Sequence, residues 1–125
     1  MNFKTLVLGA SLKEDRYSNK AIKSLVNHDI ETVAYGLRKG TVANVHIETE
    51  KILFENIHSI TLYLNSKRQV EYYDYILSVN PERVIFNPGT ENDELIEILK
   101  KNNISYEIAC TLVMLSIGNY KEDYR

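Results

Sequence analysis

The stretch from Phe3 to Val26 constrains the fold of this chain more than any other. Phe3, Leu6, Val7 and Leu8 form a short apolar run that breaks at Gly9-Ala10-Ser11, and a polar loop from Leu12 to Ser18 follows. Ala21, Ile22, Leu25 and Val26 then fall at i, i+1, i+4 and i+5, one face of a helix. Ser18 stands where an N-cap belongs. Strand, small-residue turn and helix, in that order, open a dinucleotide-binding βαβ unit. Small residues let backbone N–H groups approach a phosphate, and the helix start offers further unpaired N–H groups to the same anion. The full G-x-G-x-x-G fingerprint is absent: Ser11 stands in place of a second glycine and no third one comes. A phosphate-binding turn and a purely structural strand–helix corner therefore both remain open.

Charge adds weight to the first reading. Residues 1–45 hold seven Lys or Arg against four Asp or Glu, a net of +3, while the remainder holds eight against thirteen, a net of −5. The positive excess shares a half with the glycine turn, which favours a small anionic ligand there. It is too weak for a nucleic-acid-binding face. At 125 residues the chain is long enough for one domain, 1–125, and too short for two. The longest apolar run, around Leu112 to Leu115, is far short of a membrane span. The first residues lack a signal peptide's apolar region, so a cytoplasmic location is expected. The lone Cys110 excludes an internal disulfide and a cysteine-cluster metal site.

Along the chain, strand and helix patterns alternate. A second strand is expected at about Glu31–Tyr35, ending at Gly36, and the cationic Arg38-Lys39 lies between Gly36 and Gly40. An NAD-binding fold usually carries an acid there for the ribose hydroxyls. Two cations instead fit a ribose bearing an extra phosphate, as in NADP or coenzyme A; a solvated turn is the plainer alternative. Val45–Glu48 alternates as a short edge strand, and Ile52–Ile57 offers another. The third strand is placed at Ile60–Leu64, and a helix at Ser66–Ser78 is expected to bury Val70, Tyr73, Ile76 and Leu77. Tyr72 and Tyr75 lie off that stripe, as partner-facing residues or as helix-edge tyrosines with hydroxyls in water. A fourth strand, Arg83–Asn87, leads through Asn87-Pro88-Gly89-Thr90 into a helix whose Thr90 and Asp93 have capping-box spacing. Glu91 and Glu94 in its first turn would repel phosphate. A fifth strand at Ser105–Ala109 and a short helix over Cys110–Ile117 follow, and residues 118–125 are expected to fray. This alternation predicts a three-layer α/β fold, a five-stranded parallel sheet of order 3-2-1-4-5 with helices on both faces. In that order the Gly9 and Asn87–Gly89 turns flank one crevice, between strands one and four.

Assembled, these residues resemble the small stand-alone coenzyme A-binding domain proteins, Rossmann-like relatives of the CoA-binding domain of the succinyl-CoA synthetase alpha subunit. Four features carry the resemblance: Gly9-Ala10-Ser11 followed by Arg16-Tyr17-Ser18-Asn19-Lys20-Ala21; Thr61-Leu62-Tyr63-Leu64; Asn87-Pro88-Gly89 leading through Glu91-Asn92; and Cys110-Thr111-Leu112-Val113-Met114-Leu115. The resemblance implies binding of the ADP part of CoA or an acyl-CoA. Gly9, Ala10 and Ser11 would lie against the pyrophosphate, completed by Arg16 and Ser18 within the block that includes Tyr17 and Asn19. Arg38 or Lys39 would meet the 3′-phosphate, Tyr63 to Asn65 would border the adenine side, and Asn87, Pro88 and Gly89 would wall the crevice. The family often carries Val-Asn-Pro after its second strand, where this chain has Tyr35-Gly36-Leu37.

No catalytic constellation emerges. His28, His46 and His58 lack metal-ligand spacing, and His28 is placed as a dipole partner at a helix end. Ser11 has no base partner in the sequence, and Cys110 reads as a small buried hydrophobe. The sequence reading is thus a non-catalytic CoA-binding domain acting as sensor, carrier or partner subunit. A small NADP-binding module is the first alternative. The second is a ligand-free interaction protein that uses Tyr72 and Tyr75 as a homodimer or partner surface.

Overall fold

The computed structural model describes residues 2–122. Seven strands, β1 (Thr5–Ala10), β2 (Thr32–Gly36), β3 (Gly40–Val42), β4 (Val45–Glu48), β5 (Ser59–Leu62), β6 (Arg83–Phe86) and β7 (Ser105–Ile108), form one sheet of order β3-β4-β2-β1-β5-β6-β7. All pairings are parallel except the β3–β4 hairpin. The helices are α1 (Tyr17–Asn27), α2 (Ser66–Gln69), α3 (Tyr73–Val79), α4 (Asp93–Lys101) and α5 (Thr111–Ile117), with a 3₁₀ turn at Val70–Tyr72.

Alternation along β1 builds two cores. Leu6 and Leu8 enter one sheet face, packed with Ile76 of α3 and Leu95 and Leu99 of α4, while Val7 and Ala10 enter the other with Ile22 and Leu25 of α1 and Met114 and Leu115 of α5. Burying each such leucine or isoleucine contributes about 1.5–3 kcal/mol, which is why the central strand is apolar on both faces. None of the described helices is long and apolar enough to cross a membrane.

The five-strand order 3-2-1-4-5 is overturned. The strand expected third, now β5, pairs with β1 from Thr5↔Ser59 to Leu8↔Leu62, and the place beyond β2 is taken by β4. The expected order counted five strands, whereas β3 and β4 add two and take the margin beyond β2. All four β5 residues are buried, Thr61 included, because its hydroxyl bonds Thr111 Oγ1 at 2.8 Å and accepts from Asn87 Nδ2 at 2.7 Å. The alternation that does mark a less buried strand belongs to β4. β3 starts at Gly40, directly after the cationic turn, in a stretch given no strand from the sequence, and Ile52–Ile57 forms no strand.

Three local expectations also give way. The helix expected at Ser66–Ser78 is interrupted by the 3₁₀ turn, which advances each residue by roughly 120° rather than 100° and so rotates the buried stripe. Val70 is therefore exposed, while Tyr72 and Tyr75 are buried: the hydroxyls of Tyr72 and Tyr35 lie 3.3 Å apart, and Tyr75 donates to the Ile52 carbonyl. These two tyrosines form no outward surface. At α4 the cap is Asn92, whose side chain accepts from the N–H groups of Glu94 and Leu95, and Thr90 instead donates to the Asn87 carbonyl. The segment expected to fray is tied down as far as Tyr120, which is buried. The Tyr120 hydroxyl lies 2.6 Å from Thr5 Oγ1, and Arg83 stacks on its ring at 4.5 Å and donates to its carbonyl at 2.8 Å. Residues 123–125 lie outside the described range.

Candidate functional site

The chain leaves β1 through α1 toward β2 on one side, and returns from β4 to β5 on the other. The direction reverses between β1 and β5, not between β1 and the strand ending at Asn87, and a crevice forms at such a reversal. A cleft of about 570 Å³ opens there, at the C-terminal ends of β1, β2 and β5. That volume is within the ordinary range for a small-molecule site.

Gly9 lies in the cleft wall with φ +100°, between Leu8↔Tyr35 and Ala10↔Gly36, where the β1–β2 register shifts. A Cβ there would sit 3.0 Å from the Tyr63 carbonyl carbon, so the close approach of the β5 end demands glycine as firmly as any ligand would. Past the turn, Lys13 N–H donates to Ser11 Oγ at 3.1 Å, and Asn19 Nδ2 donates to the Ser11 carbonyl at 3.0 Å. Asn19 thus latches the turn onto α1. Its Oδ1 has no hydrogen-bond partner among the described residues. The N-cap of α1 is Arg16 rather than Ser18; no side chain caps this end and its first turn holds no acid. The α4 start differs, being capped by Asn92 with Asp93 and Glu94 in its first turn. Of these two helix starts, the positive end of α1 is the one open to an anion.

The cleft's charge is one-sided. Lys13, Arg16, Arg38 and Arg68 line it, and no Asp or Glu does among the described residues. None of the four forms an ion pair among the described residues. In a partly enclosed cleft, unpaired charges of one sign raise the local concentration of anions.

Of the residues read from sequence, Gly9, Ala10, Ser11, Arg16, Tyr17, Ser18, Arg38, Tyr63, Asn65, Pro88 and Gly89 all line this cleft. Three do not. Lys39 is exposed beyond the lining, and Asn19 is buried beneath it. Asn87 has its side chain consumed by Thr61, the Leu62 carbonyl and the Thr111 N–H. Arg68 went unread, since one cation in Lys67-Arg68 on a helix start carries no signal of where it faces. Tyr35, Tyr72 and Thr90 also line the cleft. Cys110 is half-buried at the N-cap of α5 and outside the lining, not a fully buried hydrophobe. His28 closes α1 with its Nδ1 donating to the Ser24 carbonyl at 2.7 Å. No metal-ligating cluster occurs among the described residues.

Burial pushes the Tyr63 phenol up from 10.0 to about 12, against a smaller opposing effect of its hydrogen bonds to Thr61 and Thr111. Burial likewise raises Tyr75 to about 12. A phenol with a raised folded-state pKa stabilises the fold fully below the unfolded value, and that contribution is lost as pH rises through the folded value. Stability is therefore expected to fall between pH 10 and about 12, and thermal melts across that window measure it.

A mainly parallel sheet with a cationic cleft at its chain reversal, and an uncapped helix start beside a glycine turn, defines a Rossmann-type α/β domain. Comparison with known families gives the particular one: residues 4–116 match the CoA-binding domain family, and the chain belongs to it. It is similar to a protein of known crystal structure described only as uncharacterized, with 47% identity, a TM-score of 0.92, and coverage of 96% of this chain and 99% of that one. A hypothetical protein from Pyrococcus horikoshii OT3 shares the fold at 19% identity and a TM-score of 0.83, over 93% of this chain and 83% of that one. So does a Thermus thermophilus protein at 13% identity and a TM-score of 0.83, over 95% and 91%. Comparison with curated proteins finds no match.

Proposed function

We propose that this chain binds coenzyme A or an acyl-CoA through its ADP moiety, as a sensor, carrier or partner subunit rather than as an enzyme. The observation that carries this reading is the cleft that, among the described residues, holds four cations without an ion pair and no carboxylate, beside the uncapped α1 start. The pyrophosphate would lie against Gly9, Ala10 and Ser11, within reach of Arg16 and the first N–H groups of α1. Arg38, just beyond β2, would meet the 3′-phosphate; Lys39 drops out of that role because it stands outside the lining. Tyr63 to Asn65, at the β5 end, would border the adenine side. Neither His nor Asp nor Glu lines the cleft among the described residues, so Ser11 has no base beside it. This supports binding without turnover.

Titration calorimetry with CoA, dephospho-CoA and NADP tests the reading. One charge-assisted contact contributes about 1.5–3 kcal/mol, and an exposed arginine falls toward or below the low end. CoA is thus expected to bind about tenfold more tightly than dephospho-CoA. Arg38→Ala should erase most of that preference and Lys39→Ala should leave it. Stronger binding of NADP than CoA would reassign the cleft to a nicotinamide cofactor, and no binding of any of the three by folded protein would end the proposal.

A further inference from the structure

One margin of the sheet is left open. β7 bonds β6 on its inner side and, among the described residues, no strand on its outer side. The N–H groups of Ser105 and Ala109 donate inward, to the carbonyls of Glu82 at 3.2 Å and Phe86 at 3.1 Å. By the alternation of a strand, the N–H and C=O groups of Tyr106 and Ile108 therefore point outward. Native sheets blunt such an edge with lysine, proline or a bulge, and Ser105-Tyr106-Glu107-Ile108 has none of these. The opposite margin is blunted, since β3 is only three residues long and opens on Gly40.

The helices beside this edge are complementary to a second copy of themselves. Ile108 is 59% exposed, on the sheet face that carries Tyr106 and α4. On the other face α5 lies beside α1 and buries Thr111, Met114 and Leu115. Leu112, on one flank of that stripe, is half-buried; Val113 and Ile117, on the flank turned away from α1, are 52% and 67% exposed. In α4, Glu94 accepts from the Tyr73 hydroxyl on the α3 side at 2.9 Å. At the helical spacing, Asp93 in the first turn and Lys100 in the last turn fall on the opposite flank, toward the margin.

We propose that the outer edge of β7 is the two-fold interface of a homodimer, with α4 and α5 packed against their counterparts. Antiparallel pairing of β7 with β7 of a second copy, about an axis through Glu107, sets Tyr106 opposite Ile108. Both such pairs then exchange their outward N–H and C=O groups. Each also places an aromatic ring beside a β-branched side chain, a favourable cross-strand combination. The same axis runs α4 antiparallel to its copy, so Asp93 of each faces Lys100 of the other. Glu107 meets its own copy on the other face, but each carboxylate already lies 3.1 Å from Arg83, so an ion pair approaches rather than a bare charge. A stable interface needs about 800 Å² per partner, more than a four-residue strand supplies, and Val113, Ile117 and the α4 flank extend it. The proposal is independent of the ligand, since no residue of β7, α4 or α5 lines the cleft.

Sedimentation velocity across a concentration series, with hydrogen exchange on the same samples, tests it. The native chain is expected to show a monomer–dimer equilibrium, with protection of the Tyr106 and Ile108 amides that rises with the dimer fraction. Ile108→Pro removes an outward N–H and leaves the β6 ladder whole. It should weaken dimerisation at least about tenfold, because symmetry counts the lost bond twice. Lys100→Asp should weaken it about three- to thirtyfold, and adding Asp93→Lys should restore it. Thermal melts show whether each variant folds, and the charge swap carries the test if Ile108→Pro does not. A native chain that stays monomeric, with Tyr106 and Ile108 exchanging as open amides, leaves the edge to solvent or to another protein and overturns the proposal. A dimer indifferent to these variants would overturn it too, as would assembly beyond a dimer, because a two-fold contact closes on itself.

Discussion

Replacing Arg83 with alanine is expected to destabilise the chain by about 3–5 kcal/mol, the range for stripping one partner from a buried ion pair. The guanidinium is 6% exposed and lies 3.1 Å from Glu107, which is 19% exposed. Its Nε also donates to Ser59 Oγ at 2.6 Å, and a third nitrogen donates to the Tyr120 carbonyl. Alanine would leave a carboxylate, a hydroxyl and a carbonyl with fewer partners in a region water reaches poorly, and would release the Tyr120 ring. Urea denaturation measures the loss, and a change below about 1 kcal/mol would show that water replaces the guanidinium at little cost. Arg83, Ser59 and Thr5 begin their strands, whereas the cleft lies at the strands' other ends. CoA affinity of the folded fraction should therefore be unchanged.

Gly36→Ala should damage stability and binding together. A Cβ at Gly36 would lie 2.3 Å from the Ala10 carbonyl oxygen and 3.0 Å from a methyl of Ile47. Backbone oxygen cannot swing aside as a flexible side chain can, so the ends of β1 and β2 must separate where both border the cleft. Overpacking of this kind costs about 1–3 kcal/mol. The separation also displaces Ala10 and Ser11 from Arg38, so CoA affinity should fall more than in Lys39→Ala, whose side chain stands outside the lining. Melting temperature and calorimetry on the same samples check both effects. Native affinity in a destabilised Gly36→Ala protein would show that the ligand does not bridge the two strand ends.

Much of the site was legible because its chemistry is local. Gly9-Ala10-Ser11, Arg16 and Ser18 lie within ten residues of one another, and a strand–turn–helix unit brings its own loop to its own strand end. Arg38 was legible for the same reason, lying two residues past a strand. The resemblance to small CoA-binding domain proteins rested on such local motifs, Asn87-Pro88-Gly89 among them, and the family match over residues 4–116 bears it out.

What the tertiary structure alone decided depends on partners distant in sequence. Thr61 is interior because Asn87 and Thr111 meet its hydroxyl, and no local pattern reports a hydrogen bond across 26 or 50 residues. β5 lies beside β1 along four residue pairs, and that placement sets the chain reversal and the cleft. Tyr72 and Tyr75 turned inward because a 3₁₀ turn rotated their helix, and Tyr120 was captured by Arg83 and Thr5 from the far ends of two strands. Arg68 lines the cleft from a short helix that buried Gln69 fastens to Leu64, Thr90 and Asn92, partners no local pattern reports. The sequence by itself determined the strand–turn–helix grammar and the chemistry at each turn, since both are read within a few residues. The order of the strands, and hence which turns share a cleft, waited on burial and long-range hydrogen bonding.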